Sequence, residues 1–181
     1  MTKTFALRRR EVVENQPSVQ ELQERWPALL LLEEINADFL RITTIPLQSR
    51  FLASLDRQSY QLLQVIKSKD SGHRHQKRVL KCLIVYLGED ASCLIKEYQA
   101  DQREEAEKEF EKTTMAVFEI RESDALRRAL DISIVIEGVE VLNELPSVAC
   151  ACTMMIGLIY ALNLKYPDGL KYTFEAFQKI Y

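Results

Sequence analysis

The sequence predicts a mainly α fold: a helical bundle around a buried apolar central helix, with a small β-hairpin as its minor β component. Three observations predict it. Gly and Pro are scarce, five of each in 181 residues, which argues against a loop-rich or all-β chain. Apolar residues recur at helical spacing over most of the length. The stretch Leu145–Leu164 carries no charge at all, the pattern of a helix buried on every side. With 47% hydrophobic and 28% charged residues, the composition excludes wholesale disorder. A chain of 181 residues can close one core without a metal or disulfide staple, so a single domain over 1–181 is expected.

Ser18-Val19-Gln20-Glu21 has capping-box spacing and opens a short helix that Pro27 ends. Leu32, Ile35, Phe39 and Ile42 form one face of a helix over Leu32–Thr43, and Pro46 breaks it. Phe51, Leu55, Leu62, Val65 and Ile66 carry the next helix toward Lys69, before the turn signal Asp70-Ser71-Gly72. Val79, Leu80, Leu83, Ile84 and Leu87 mark another helix, stopped by Gly88. Ala91–Tyr98 reads as a short helix with Leu94 and Ile95 inside. Residues 1–98 are thus the helical half, and 99–113 a charged helix or linker.

After Thr114 the period changes to two. Ala116, Phe118 and Ile120 alternate, as do the β-branched Ile132, Ile134 and Ile136. The two runs are expected to pair as a hairpin over 114–142. At Gly138 the phase slips, which suggests a bulge or a strand handing over to a helix. Pro146 then suits the first position of the apolar helix. Pro167-Asp168-Gly169 is a turn, and Leu170, Phe174, Phe177 and Tyr181 give a final amphipathic helix within 146–181.

Leu145–Leu164 is long enough to span a bilayer. Pro146, Ser147, Thr153 and Asn163 and the absence of flanking Trp favour a core helix instead. The N-terminus has no apolar segment of a secretory signal. The expectation is a cytoplasmic or nuclear protein with no membrane partner. Cys82, Cys93, Cys150 and Cys152 all sit in apolar helical contexts, so buried free thiols are expected. Cys150 and Cys152 would diverge by about 200° on a helix, too far apart to share a metal.

Charge is uneven. Residues 1–82 hold 14 Lys+Arg and 9 Asp+Glu, a net of +5; residues 83–181 hold 10 and 18, a net of −8. The halves can pair with each other or with a partner. Ala149, Thr153, Gly157 and Ala161 recur every four residues and form a flat ridge. It admits a close backbone approach, from within the chain or from a homotypic helix of a second copy. Arg74, Lys77, Arg78 and Lys81 share a helix face and could follow phosphates, with Arg8, Arg9 and Arg10 adding to them. No aromatic is interleaved to stack bases, and the alternative for this stripe is a solvated face that attracts the acidic 97–111 segment. No nucleophile, P-loop, dinucleotide or zinc-protease motif is present, and His73 and His75 lie on a polar turn. No catalytic residue, metal or cofactor is therefore expected.

The strings IVIEGVEVL (134–142), LPSVACACTMMIGLIYALNLKYP (145–167) and LKYTFEAFQKI (170–180) resemble the C-terminal region of the sterile alpha motif domain-containing protein 3 family. RRREVVENQPSVQELQERWPAL (8–29), INADFLRITTIPLQSRFLASLD (35–56) and RVLKCLIVYLGED (78–90) are similar to that family's preceding blocks. No sterile alpha motif precedes them, so the resemblance implies the second domain alone, as a fragment or a short paralogue. ALRRALDIS (125–133) departs from the Pro-Glu-Asp-containing loop of relatives. The resemblance carries over no catalytic residue. The self-associating motif of longer relatives implies scaffolding by analogy. The expected role is a non-catalytic protein-interaction or scaffold module whose partner is another protein or a second copy, as in a homodimer. The alternative is nucleic-acid binding through Arg74, Lys77, Arg78 and Lys81.

Overall fold

The computed structural model describes residues 2–63, 73–122 and 129–179. In chain order the elements are α1 (Phe5–Asn15), α2 (Val19–Arg25), α3 (Leu32–Thr43), α4 (Leu47–Leu63), α5 (His73–Tyr86), α6 (Ala91–Leu94), β1 (Ile95–Gln99), α7 (Arg103–Phe110), β2 (Met115–Arg121), β3 (Ala129–Ile136), β4 (Val139–Leu142), α8 (Val148–Leu162) and α9 (Lys171–Gln178). The fold is mainly α with a small sheet. The expected turn at Asp70-Ser71-Gly72, and Val65, Ile66 and Tyr181, lie outside the described residues.

α8 is the spine. Every residue in it except Tyr160 is buried. It contacts α3, α4, α5 and α9, and also β2 and β3, so helices supply only part of its surroundings. Pro146 is not its first residue: the Ser147 hydroxyl accepts the Cys150 N–H at 3.1 Å and takes the N-cap. A serine that satisfies an orphan N–H outcompetes a proline that only pre-sets φ. The helix keeps 15 residues of the uncharged stretch, about 22 Å, shorter than the roughly 30 Å hydrocarbon layer. Among the described residues no helix is long and apolar enough to cross a membrane.

The predicted hairpin forms, with β2 and β3 antiparallel and Val117 opposite Ile134. It is half of a larger sheet of order β1-β2-β3-β4. The reading of Ala91–Tyr98 as one helix is corrected. Asp90 caps a single turn by accepting the Ser92 N–H at 2.9 Å, and Ile95–Gln99 then runs parallel to β2. Five residues with two charges carry no visible strand pattern, and here long-range pairing with β2 decides. Gly138 is neither a bulge nor a hand-over to helix. Glu137 and Gly138 both have positive φ, 52° and 79°, and form a two-residue reversal between β3 and β4.

The sheet is covered on both faces. Met115, Val117, Ile134 and Ile136 join the main core around α8. Ala116, Phe118 and Val135 meet Ala106 and the half-buried Phe110 of α7. The Phe110 and Phe118 rings meet edge-on, their centroids 4.5 Å apart. The charged run at 99–113 is therefore a covering helix rather than a linker. Double coverage also explains why β2 is buried nearly throughout.

Candidate functional site

The small-residue ridge is internal. Ala149, Thr153, Gly157 and Ala161 are all buried within the chain. A Cβ on Gly157 would meet Ile35 Cγ2 at 2.5 Å and Leu47 Cδ2 at 2.8 Å, so the ridge is the seat of α3 and α4. The homotypic reading of these four residues is corrected: their flatness is used inside the chain, and no surface of theirs is left for a second copy.

The basic stripe is divided. Lys77 on α5 is buried and bonded to Glu97 of β1 and Glu119 of β2. Lys81 is bonded to Glu97, and Arg121 reaches Glu97 and Glu119 at 3.0 Å each. Arg78 is exposed, and the side chain of Arg74 lies outside the described set. Lys77 and Lys81 thus clasp α5 to the sheet instead of facing phosphates. Glu97 belongs to the acidic segment that was the alternative for this stripe. Burial works to raise the Glu97 carboxyl, but hydrogen bonds and charge from Lys77 and Lys81 outweigh it and hold the group down at about 2.

Of the N-terminal arginines, Arg8 and Arg9 are also committed inside the fold, while Arg10 is exposed. Arg8 is 1% exposed and donates to Asp38 at 2.6 Å. Arg41 meets the other Asp38 oxygen at 2.5 Å, so one carboxylate joins two guanidiniums. Arg9 donates to the carbonyl of Tyr160 at 2.7 Å, in the last turn of α8, where orphan carbonyls favour a cation.

A second polar cluster lies on the α7 side of the sheet. Glu109 accepts from Lys96 and from the Tyr98 hydroxyl. Burial and then Glu109 push the Tyr98 phenol up to about 12, while the Lys96 and Tyr98 hydrogen bonds lower Glu109. Beside it opens a groove of about 590 Å³ lined by Cys93, Lys96, Lys108, Lys112, Met115 and Leu170 among others. Its lysines are interspersed with Glu105 and Glu109, so it presents no field of one sign.

Cys150 and Cys152 are buried as expected, but Cys82 and Cys93 are exposed. The correction at Cys82 has a geometric cause. α5 turns Val79, Leu80 and Ile84 inward and leaves Arg78, Cys82, Val85 and Tyr86 outward. Val85 is 63% and Tyr86 83% exposed. This outer face was legible in the sequence as spacing i, i+4, i+7, i+8, but Val85 and Tyr86 blend there into the apolar run beside them. α5 ends in a left-handed Gly88, with Gly88 N–H to Val85 O at 3.0 Å and Glu89 N–H to Ile84 O at 3.1 Å. The Glu89 carboxylate then accepts the Tyr172 and Thr173 N–H groups, both at 2.8 Å, and so caps α9. That cap holds exposed Tyr172 at the end of α5. Among the described residues no group of three or more His, Cys, Asp or Glu is placed to hold a metal ion.

Comparison with known families finds a similarity in the first part of the chain. The family model described as sterile alpha motif domain-containing protein 3, helical domain, matches residues 1–31. The matched block covers α1 and α2, the elements that carry Arg8, Arg9 and the Ser18–Glu21 capping box. The C-terminal strings at 134–142, 145–167 and 170–180 lie outside it. No curated protein and no solved structure matches the chain. Over its first 31 residues the chain is similar to the helical domain of that family.

Proposed function

We propose that this chain is a non-catalytic protein-interaction module that self-associates, and that it corresponds to the domain following the sterile alpha motif in the longer relatives it resembles. One observation carries the reading: Val85, Tyr86 and Tyr172, the three most exposed large apolar side chains among the described residues, stand near the end of α5 and the start of α9, where Glu89 joins the two. Exposed apolar side chains held on rigid elements mark association surfaces. The Glu89 cap ties both helix ends together, so the surface is pre-organised rather than a loose tail.

Light scattering over a concentration series tests it. The apparent mass rises from monomer toward dimer as concentration increases through the micromolar range. A strict monomer at high micromolar concentration defeats the self-associating reading.

A further inference from the structure

We propose that the groove between α7 and the turn at 167–170 binds a small organic monoanion, a free carboxylate on an apolar aryl or acyl body. Val85, Tyr86 and Tyr172 do not line this groove, so the inference goes beyond the self-association reading and does not rest on it.

The hollow has the size and the walls of a small-molecule site. Its volume of about 590 Å³ lies within the range that takes such ligands. Cys93 of α6, Lys96 of β1, the α7 side chains and the turn before α9 close around it. These segments are fixed by the fold. Lys96 stands opposite Phe118 in the sheet, the Thr113 N–H donates to the Phe110 carbonyl at 2.9 Å, and the Leu170 N–H donates to the Pro167 carbonyl at 2.9 Å. Met115 and Leu170 line the groove and belong to the main core as well, so its inner wall is apolar. A hollow already formed costs little ordering when it is filled.

Charge then selects the ligand. Lys96, Lys108, Lys112, Glu105 and Glu109 line the groove, one positive charge in excess. Lys96 is bonded to Glu109, which also accepts from the Tyr98 hydroxyl. Lys108, Lys112 and Glu105 have no ion pair among the described residues. Lys112 acts on Glu109, and Glu105 on Tyr98, only through charge at longer range. Lys108 and Lys112 lie four residues apart, the spacing of neighbours on a helical surface. The Thr114 hydroxyl is exposed and has no hydrogen-bond partner among the described residues, so a donor is free beside the two ammonium groups. A cation would add to the excess, a neutral molecule would leave it unanswered, and a dianion would reverse it. A monoanion cancels it, and an apolar body on that anion covers Met115 and Leu170.

Naphthoate is the probe, and naphthamide is its uncharged counterpart. Cys93 lines the groove, Cys82 does not, and both thiols are exposed. Alkylation of the full chain by iodoacetamide, followed at each cysteine by mass spectrometry, therefore reads occupancy against an internal control. Naphthoate slows alkylation of Cys93 severalfold and saturably and leaves Cys82 unchanged, while naphthamide slows neither. A Cβ on Gly169 meets no atom within 4 Å, so Gly169→Leu adds a side chain at the groove wall without a clash, and the protection is lost. Lys108→Gln with Lys112→Gln keeps the shape and weakens naphthoate by roughly tenfold or more. Circular dichroism confirms that both variants stay folded. Protection that persists in folded Gly169→Leu overturns the groove as the site. Equal protection by naphthoate and naphthamide, or undiminished protection in the double glutamine variant, overturns the ligand class. No protection at millimolar naphthoate overturns the inference outright. None of these outcomes moves the light-scattering result that tests self-association.

Discussion

The Arg8 guanidinium donates to Asp38 at 2.6 Å, with the side chains only 1% and 3% exposed. The pair fastens α1 to α3 where little water reaches. Removing one partner strands the other's charge in the interior. Asp38→Ala is expected to cost about 3–5 kcal/mol in urea unfolding. The double change Arg8→Met with Asp38→Leu should cost clearly less, because no buried charge is left alone. Equal losses for the single and double variants would refute this account of the contact.

The Glu97 carboxyl is held down from its ordinary value of 4.5 to about 2 in the folded chain, because Lys77 and Lys81 outweigh the effect of burial. The sign follows from linkage: below 4.5 the unfolded state takes up the proton first, so stability falls with pH. The contribution is complete above 4.5 and is lost as pH drops toward 2. The lowered Glu109 acts in the same direction. Denaturant unfolding at stepped pH should show this loss, with a shallower slope in Lys77→Met. Parallel slopes for the two proteins would count against the clasp.

Gly157→Ala should destabilise by about 1–3 kcal/mol, and Gly157→Leu by more, through overpacking. The added carbon meets Ile35 Cγ2, which is fixed close to its backbone, as well as the far end of Leu47. Combining Gly157→Ala with Leu47→Ala should be less than additive, since the second change vacates part of the space. Thermal unfolding of the three variants measures this, and an unchanged midpoint for Gly157→Leu would contradict the close approach.

Glu89→Ala removes both acceptors from the first turn of α9, at a cost of about 0.5–2 kcal/mol. Hydrogen exchange should rise first at the Tyr172 and Thr173 amides, which bond to that carboxylate. Exchange that rises evenly along the chain would show that the cap is not local.

Thr173 Oγ1 is buried with no hydrogen-bond partner among the described residues. Valine has the same shape without the hydroxyl. Thr173→Val should therefore be neutral or stabilising, by up to about 1 kcal/mol in thermal unfolding. A clear loss would reveal a partner for the oxygen.

Local signals were legible where a local interaction decides. The Ser18–Glu21 box, Gly88 as a stop and the β2–β3 pairing each depend on residues close in sequence or on strict alternation. The uncharged stretch was legible as a core helix because burial all round has its own composition. β1 was hidden, because Lys96, Glu97, Tyr98 and Gln99 become strand only by pairing with β2. The α5 stripe was read in two ways, and the contacts of Lys77 and Lys81 with Glu97 agree with its attraction to the acidic 97–111 segment. Spacing shows that charges share a face, but Asp38, Glu97 and Glu119 arrive from distant elements to take them up. The ridge was visible as a pattern, while the identity of what fills it, Ile35 and Leu47, is a tertiary fact. The outer face of α5 is set by how the helix packs, which leaves Val85 and Tyr86 exposed beside core residues of the same apolar run.

The contact between Arg9 and Tyr160 spans 151 positions, and the Val19 N–H is met by Glu137 from 118 positions away. During synthesis at roughly 5–20 residues per second, the first helices wait about 8–30 s before the anchor for Arg9 has been made. Over that interval α1 and α2 are tethered but unfinished, their polar groups answered by water. α1 and α2 are thus secured late, and a nascent chain halted before residue 160 would leave these two helices open to proteases and chaperones.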